Sequence, residues 1–468
     1  MKKLWLSSLL IGTLGISSAQ ASVLAIVDSG NDFSHKDLVL KTWINPTEIA
    51  GNDRDEDRNG YPDDVNGWNF AESNNQLIDY KYSYSLNPDT RRFFDIQLKA
   101  FLGTITEDDK NWYKEKIQDE NFIKTLSVFG NWMHGTHVTG IAAKNASDVK
   151  VIGLKLIPTE VKLPGQKSKE VFVETKGMRS HKFLFEDKSM KDSILMALLS
   201  TLAKQQSAVY GEIGSYLQFH KVEVMNGSFG VPYSSIAGLL KTLFEKVFKK
   251  EPTEAEIKKF TDYFFSVLLE ENRTFLASSP NTLFIFASGN EGLNNDQYAS
   301  SPTNVQAENK ISVAASLGNM MLANFSNYGV NNVDVAAPGV GIVSTIPMDQ
   351  HMAVSGTSQA APYVANMAVR IKDINPKLNY RGIKKIILDT VDVKPWLVGK
   401  VRTSGLVNLE RALRAAELSQ SMEISMAISK AKSDVPAKSE NDLLSLREVN
   451  QIPLELVTPM PNPILISK

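Results

Sequence analysis

The sequence predicts an α/β fold, a mostly parallel central sheet flanked by helices and interrupted by several insertions. Short, uninterrupted apolar runs recur along the chain: VLAIV (23–27), VIGLKL (151–156), VEVM (222–225), LFIFA (283–287) and ISVAA (311–315). Runs without alternation suit strands buried on both faces. Helix-period patterns lie between many of them, which calls for crossover connections and a parallel sheet. Apolar residues make up 43% of the 468-residue chain, enough to fill a sizeable core.

The chain opens with MKKLWLSSLLIGTLGISSAQA, in which Lys2 and Lys3 precede an apolar stretch from Leu4 to Ile16 and the small-residue site Ala19-Gln20-Ala21. The stretch is short for a bilayer span and has the form of a secretory signal peptide over 1–21; a buried N-terminal helix is the alternative. Export follows, to a periplasm or out of the cell, with no membrane attachment after cleavage. The chain has no cysteine, so an exported form needs a staple other than disulfides, either a large core or bound metal ions. A net charge of -1 argues against nucleic acid and against a polybasic membrane anchor.

From Ser22 to about residue 417 the strand and helix patterns describe one catalytic-size domain. Three stretches within it look inserted. Residues 75–130 are charged and aromatic, and 158–182 are lysine-rich and loop-like. Residues 239–270 carry two apolar stripes at helical spacing, Leu239, Leu240, Leu243, Phe244, Val247 and Phe248, then Ile257, Phe260, Phe264, Val267 and Leu268. Thr253 and Glu256 between them have the spacing of a capping box, so a helical hairpin is expected. Its stripes face either the core or a partner. The composition shifts after residue 418, and 418–468 reads as a tail, loosely ordered or docked as an extended strand.

NWMHGTHVTGI (131–141) holds His134 and His137, three residues apart. Zinc-binding helices place two histidines four apart with an adjoining glutamate, which is missing here. A nucleophilic site needs a hydroxyl, a base and an orienting carboxylate. AIVDSGNDFSHKDL puts Asp28 at the end of a buried strand, the edge where open parallel sheets gather their ligands. MAVSGTSQAAPYVANMAVRI puts Ser358 at the start of a helix, beside the positive end of its dipole. FIFASGNEG ends a strand in Asn290, whose amide suits a developing oxyanion. The order Asp, His, Ser is one of the orders in which this triad geometry occurs.

The blocks VDSG, HGTHVTGI, NGSFG, SGNEG and GTSQAAP, in that order, resemble those of the subtilisin-like serine proteases, the subtilases, over about residues 23–416. The resemblance implies a subtilisin-like fold and an endopeptidase acting on protein or peptide substrates. It assigns Ser358 as nucleophile, His134 as base, Asp28 as its orienter and Asn290 as oxyanion donor, with His137 packed where the helix begins. It also implies that NGSFG is an edge strand pairing with extended peptide, so that Ser228, Phe229 and Gly230 line the cleft, although Phe229 also suits simple core packing. Ala287, Ser288 and Gly289 would form the opposite wall.

DRDEDRNGYPDDVNGW (53–68) places Asp55, Asp57, Asn59 and Asp63 at the spacing that opens a calcium loop. The twelfth position is Asn66 rather than glutamate, so it is not an EF-hand, and Asp64 is available as a further carboxylate. The readings are a Ca2+ site, which subtilases often have, or a solvated acidic turn.

The sequence departs from the family's pattern in two places. Ser22 leads straight into the first strand, where the resemblance predicts a propeptide. Around the serine, Gln359, Ala361, Tyr363 and Asn366 replace methionine, serine, histidine and glycine, and Asn366 stands where a small residue would allow close helix packing. These departures keep open a second class of function, a catalytically inactive subtilase-like scaffold that binds a protein partner. An esterase with the same triad is a third reading. No motif bears on oligomeric state.

Overall fold

Val23–Asp28 forms β1, buried along its whole length, as its unbroken apolar run predicts. The computed structural model describes residues 21–160, 188–245 and 249–438. The predicted signal peptide apart from Ala21, the bulk of the 158–182 stretch and the end of the tail lie outside the described residues.

Downstream of β1 come β2 (Gly67–Asn69), α1 (Pro88–Phe101), α2 (Glu107–Lys116), α3 (Glu120–Ala143), β3 (Lys150–Lys155), α4 (Lys188–Phe219) and β4 (Val224–Gly227). Next are α5 (Tyr233–Leu243), α6 (Glu254–Ser278), β5 (Leu283–Ala287), β6 (Lys310–Leu317), β7 (Met321–Leu322), β8 (Val335–Pro338), β9 (Ile342–Ile346) and β10 (Gln350–Val354). The described chain ends with α7 (Thr357–Ile374), α8 (Tyr380–Asp389), β11 (Asp392–Val393), β12 (Gly405–Leu406), α9 (Leu409–Leu418) and α10 (Ile424–Asp434).

The main sheet runs β11-β12-β8-β6-β5-β4-β1-β3-β2, with β7 added on β6. Its pairings are parallel apart from β11 with β12 and β6 with β7. All five strands expected from apolar runs are present in it. The chain winds outward from β1 on one side through β3 and on the other through β4, β5 and β6. The strand order therefore reverses at β1 and β4, and in open parallel sheets ligands gather beyond the carboxyl ends of the strands at such a point. β9 and β10 form a separate antiparallel hairpin that leads directly into α7.

α7 is apolar on nearly every face and fully enclosed over most of its length. It packs against α3 and the undersides of β4, β5, β6 and β8, which makes it the central pillar of the larger core cluster. Asn366 is accommodated there for a polar reason. Its amide donates to the carbonyls of Ala142 and Lys144, at 3.0 and 2.6 Å, taking up carbonyls that the end of α3 leaves without intrahelical partners.

The 239–270 hairpin exists as α5 and α6, and the capping box closes as its spacing predicts. Thr253 Oγ1 accepts from the Glu256 N–H at 3.2 Å, and Glu256 Oε2 accepts from the Thr253 N–H at 2.9 Å. Leu240, Phe244, Ile257, Phe260, Phe264 and Leu268 bury themselves against Leu195, Leu199 and Ala203 of α4, so the stripes are core. Val247 and Phe248 lie outside the described residues.

Two expectations need correction. The tail is not wholly loose or extended: 424–434 is helix α10, capped by Glu423 and packed on α8 and α9 through Ala427, Ile428 and Ala431. Short alanine-spaced contacts, rather than a strong stripe, hide such a helix from periodicity. The helix bearing His134 begins at Glu120 instead of at the histidines, because the 75–130 stretch ends in helix continuous with it.

Candidate active site

Asp28, at the last position of β1, is fully buried. Its Oδ1 accepts from the Ser29 N–H at 2.7 Å and faces His134 Nδ1, also at 2.7 Å. An ionised carboxylate only accepts, so Nδ1 carries the proton and Nε2 holds the basic lone pair. Asp28 Oδ2 is buried without a hydrogen-bond partner, a negative end that an imidazolium would compensate.

The residues between the two histidines explain how α3 comes so close to β1. A Cβ on Gly135 would fall 2.1 Å from the carbonyl oxygen of Gly30, so only glycine permits the approach. Thr136 Oγ1 accepts from the Asp32 N–H at 2.9 Å, and Thr139 Oγ1 accepts from Asn31 Nδ2 at 2.6 Å. These bonds tie the helix to the loop that follows Asp28. His137 is fully buried, with Nε2 3.0 Å from the Met352 carbonyl. Burial pushes its pKa down to about 3, which keeps it neutral. It packs mid-helix and takes no part in the Asp28 pair. Gln359 Nε2 lies 3.4 Å from His137 Nδ1, which places α7 beside α3 one residue beyond Ser358.

Ser358 occupies the second position of α7, where the N–H groups of the first turn concentrate positive potential. It is 2% exposed. Its hydroxyl donates to the Ser228 carbonyl at 3.2 Å, while Ser228 Oγ donates to the Ser358 carbonyl at 2.9 Å. Asn290 lies just past β5, and its Oδ1 accepts from both the N–H and the hydroxyl of Thr357, at 2.9 and 2.8 Å. This fixes the amide so that Nδ2 points toward the Gly356–Ser358 turn. A Cβ on Gly356 would sit 3.3 Å from Asn290 Nδ2 and 3.7 Å from Ser358 N. Two N–H donors therefore flank a spot that Gln359 Oε1, 2.8 Å from the same Cβ position, also approaches.

The expected cleft walls divide. Ser228 and Gly230 follow β4 at its carboxyl end, but NGSFG is not an edge strand: β4 lies between β1 and β5. Residues 228–230 belong to no strand, and the chain then makes an isolated antiparallel bridge from Val231 to Ser301. Phe229 does not line a cleft. It is fully buried against Tyr210 and Phe286, because the carboxyl end of β4 turns its ring to the α4 side. Ala287, Ser288 and Gly289 are held by their backbones. The Ala287 carbonyl accepts from Thr303, the Ser288 carbonyl from Asn295, and the Gly289 N–H donates to Thr357 Oγ1.

Two residues the sequence reading passed over belong here. Thr357 is the clamp on Asn290. Glu291 is half-buried, its carboxyl pushed up by burial and bonded by Asn327 Nδ2 at 2.8 Å. Both lie inside the quoted GTS and GNEG blocks, but nothing in their spacing separates them from neighbours.

In the acidic loop, Glu48, Asp55 and Asp57 bring carboxylate oxygens within 4.8 Å of one another, and Asp57, Asp64 and His220 form a second such group. No Lys or Arg among the described residues forms an ion pair with Glu48, Asp55 or Asp57. Asn59 Nδ2 donates to Asp64 Oδ2 at 2.8 Å. Asp63 is the correction. It belongs to neither group, and its oxygens accept the N–H groups of Gly51, Asn52 and Asp53 at 2.9, 3.3 and 2.8 Å. Glu48, upstream of the motif, takes its place. Burial raises the Asp64 pKa, but hydrogen bonds from His220, Tyr216, Asn59 and Asn45 outweigh it and hold the carboxyl below its usual value.

Fold and site together define an α/β protein with the residue types of a serine hydrolase at the carboxyl edge of its sheet. The model of the subtilase family matches residues 19–416, and the chain belongs to that family. The alkaline elastase of Bacillus sp. (strain YaB) is 35% identical over 140 residues, 30% of this chain and 34% of that protein. Subtilisin BL of Lederbergia lenta is 35% identical over 140 residues, 30% of this chain and 48% of its own. The matched stretch thus spans about a third to a half of these relatives. Among solved structures, a protease from Pseudoalteromonas arctica aligns over 85% of this chain and 91% of that one, at 19% identity and a TM-score of 0.42.

Proposed function

We propose that the chain is an exported serine endopeptidase that hydrolyses peptide bonds through an acyl-enzyme. The observation that carries this reading is the buried 2.7 Å contact between Asp28 and His134, with Ser358 on the helix that packs against α3. Asp28 orients the imidazole and stabilises its cation. The Ser358 hydroxyl rotates from the Ser228 carbonyl to His134 Nε2, gives up its proton and attacks the scissile carbonyl. The oxyanion takes the spot between Asn290 Nδ2 and the Ser358 N–H. His134 then protonates the leaving amine, and water repeats the sequence on the acyl-enzyme. Export is supported by the N-terminal pattern alone.

Glu48, Asp55, Asp57, Asn59 and Asp64 form the oxygen-rich set that suits Ca2+. The ion would neutralise converging carboxylates and brace the loop after β1; it has no part in the chemistry above.

One observation favours the scaffold reading: Ser358 is almost fully enclosed, with its hydroxyl on the Ser228 carbonyl. Hydrolysis of an unfolded protein substrate separates the two. Endopeptidase activity that disappears in Ser358→Ala supports the enzyme. A folded wild-type chain that cleaves no protein or peptide supports the scaffold.

A further inference from the structure

Outside the catalytic and acidic-loop groups, a third cluster joins the loop after β1 to the β9–β10 hairpin. We propose that His35, Asp37 and His351 form a binding site for a divalent transition-metal cation of the zinc class. The argument does not depend on the catalytic reading.

Their ligand atoms lie within 4.8 Å of one another. His35 is fully buried, and its Nε2 lies 3.1 Å from the Gln350 carbonyl. A carbonyl only accepts, so Nε2 carries the proton and Nδ1 is the lone-pair end. A ring that donates one nitrogen to a backbone carbonyl and offers the other is the usual arrangement of a metal-ligating histidine. His35 Nδ1 faces the Asp37 N–H at 3.1 Å, and Asp349 Oδ1 lies 3.9 Å away. His351 stands edge-on to His35, ring centres 5.2 Å apart, and its Nε2 meets Asp37 Oδ2 at 2.8 Å. Asp349 Oδ1 also accepts from the Lys36 N–H at 2.7 Å.

Two imidazoles and a carboxylate, with a fourth position for water, make a donor set for zinc. Calcium, which takes six to eight oxygens, fits the acidic loop instead. The His351–Asp37 contact is half exposed, and as an isolated surface pair it would contribute little; a cation shared by all three residues makes it a bridge. Binding exchanges the Asp37 N–H bond at His35 Nδ1 for coordination, which keeps the affinity moderate. The site would staple the segment following Asp28 to the strand that enters Ser358.

The test is calorimetric titration of the full chain with Zn2+ in excess Ca2+, which fills the oxygen-rich cluster. One Zn2+ per chain is expected. His351→Ala and Asp37→Asn should each weaken it at least about tenfold, while His220→Ala leaves it unchanged. Circular dichroism and zinc-free melting check that each variant folds; if His351→Ala does not, Asp37→Asn decides. Unchanged affinity in a folded His351→Ala or Asp37→Asn chain, loss of zinc in His220→Ala, or no saturable binding to wild type would overturn the proposal.

Discussion

The cleft and the acidic loop both follow β1, and both concentrate charge, yet they differ in what faces their carboxylates. In the cleft Asp28 meets His134 and Ser29, Asn290 meets Thr357 and Ser358 meets Ser228, with Asp28 Oδ2 left without a hydrogen-bond partner. In the loop, Glu48, Asp55 and Asp57 converge and accept N–H groups of their own loop and of Asn45, but no Lys or Arg among the described residues pairs with them. The first arrangement is preorganised by the fold. The second would be completed by the proposed cation. On the proposed reading, chemistry and cation dependence are separable, and that separation can be attacked from either side.

The largest effect is expected at the oxyanion spot. Asn290→Ala should lower the turnover rate about a hundred- to a thousandfold, or ~2.7–4 kcal/mol, the range known for the corresponding donor in subtilisin rather than one derived from this geometry. The melting temperature should change little. Steady-state kinetics on a peptide substrate measure it, and a drop under threefold would remove Asn290 from the site.

Next comes acid. His137 is neutral in the fold, with its pKa near 3 against an ordinary value of 6.5. The unfolded chain binds a proton that the folded chain refuses, so stability falls as pH drops below 6.5, by roughly 1.4 kcal/mol per unit at most, down to about pH 3. His137→Asn should cost stability at pH 7 yet flatten that slope. Denaturant midpoints at stepped pH read this out, and parallel slopes in the two proteins would contradict it.

Calcium removal should be gentler and local. At a hundredfold excess over its dissociation constant the ion contributes about 2.7 kcal/mol. Chelation should lower the wild-type melting temperature and leave that of Asp57→Asn nearly unmoved. Equal responses would exclude Asp57 as a ligand.

The same contrast explains what was legible in the sequence. Strands buried on both faces show themselves as apolar runs, and LFIFA matches β5 residue for residue. Asp28 and Ser358 stand at element ends and Asn290 just past β5, where short blocks mark them, while His134 lies inside α3 and is marked by its HGTH block alone. What escaped depends on side-chain direction or on distant partners. Phe229 sits beside cleft residues but turns into the core. Asp63 has ideal spacing, yet it faces the amides at 51–53 and lies outside both carboxylate groups. Glu48 lies upstream of the motif, and His220 reaches Asp64 from the far end of α4. Asn366 looked like an obstacle to helix packing until the carbonyls ending α3 gave its amide a purpose.

The most direct measurement is labelling of the purified protein with a fluorophosphonate probe, in calcium and in chelator, beside Ser358→Ala. A cleft preorganised by its own hydrogen bonds predicts labelling of wild type in both conditions below its chelated melting temperature, and none in Ser358→Ala. Labelling that persists in Ser358→Ala, or a folded wild-type chain that takes no label in calcium, would contradict the account.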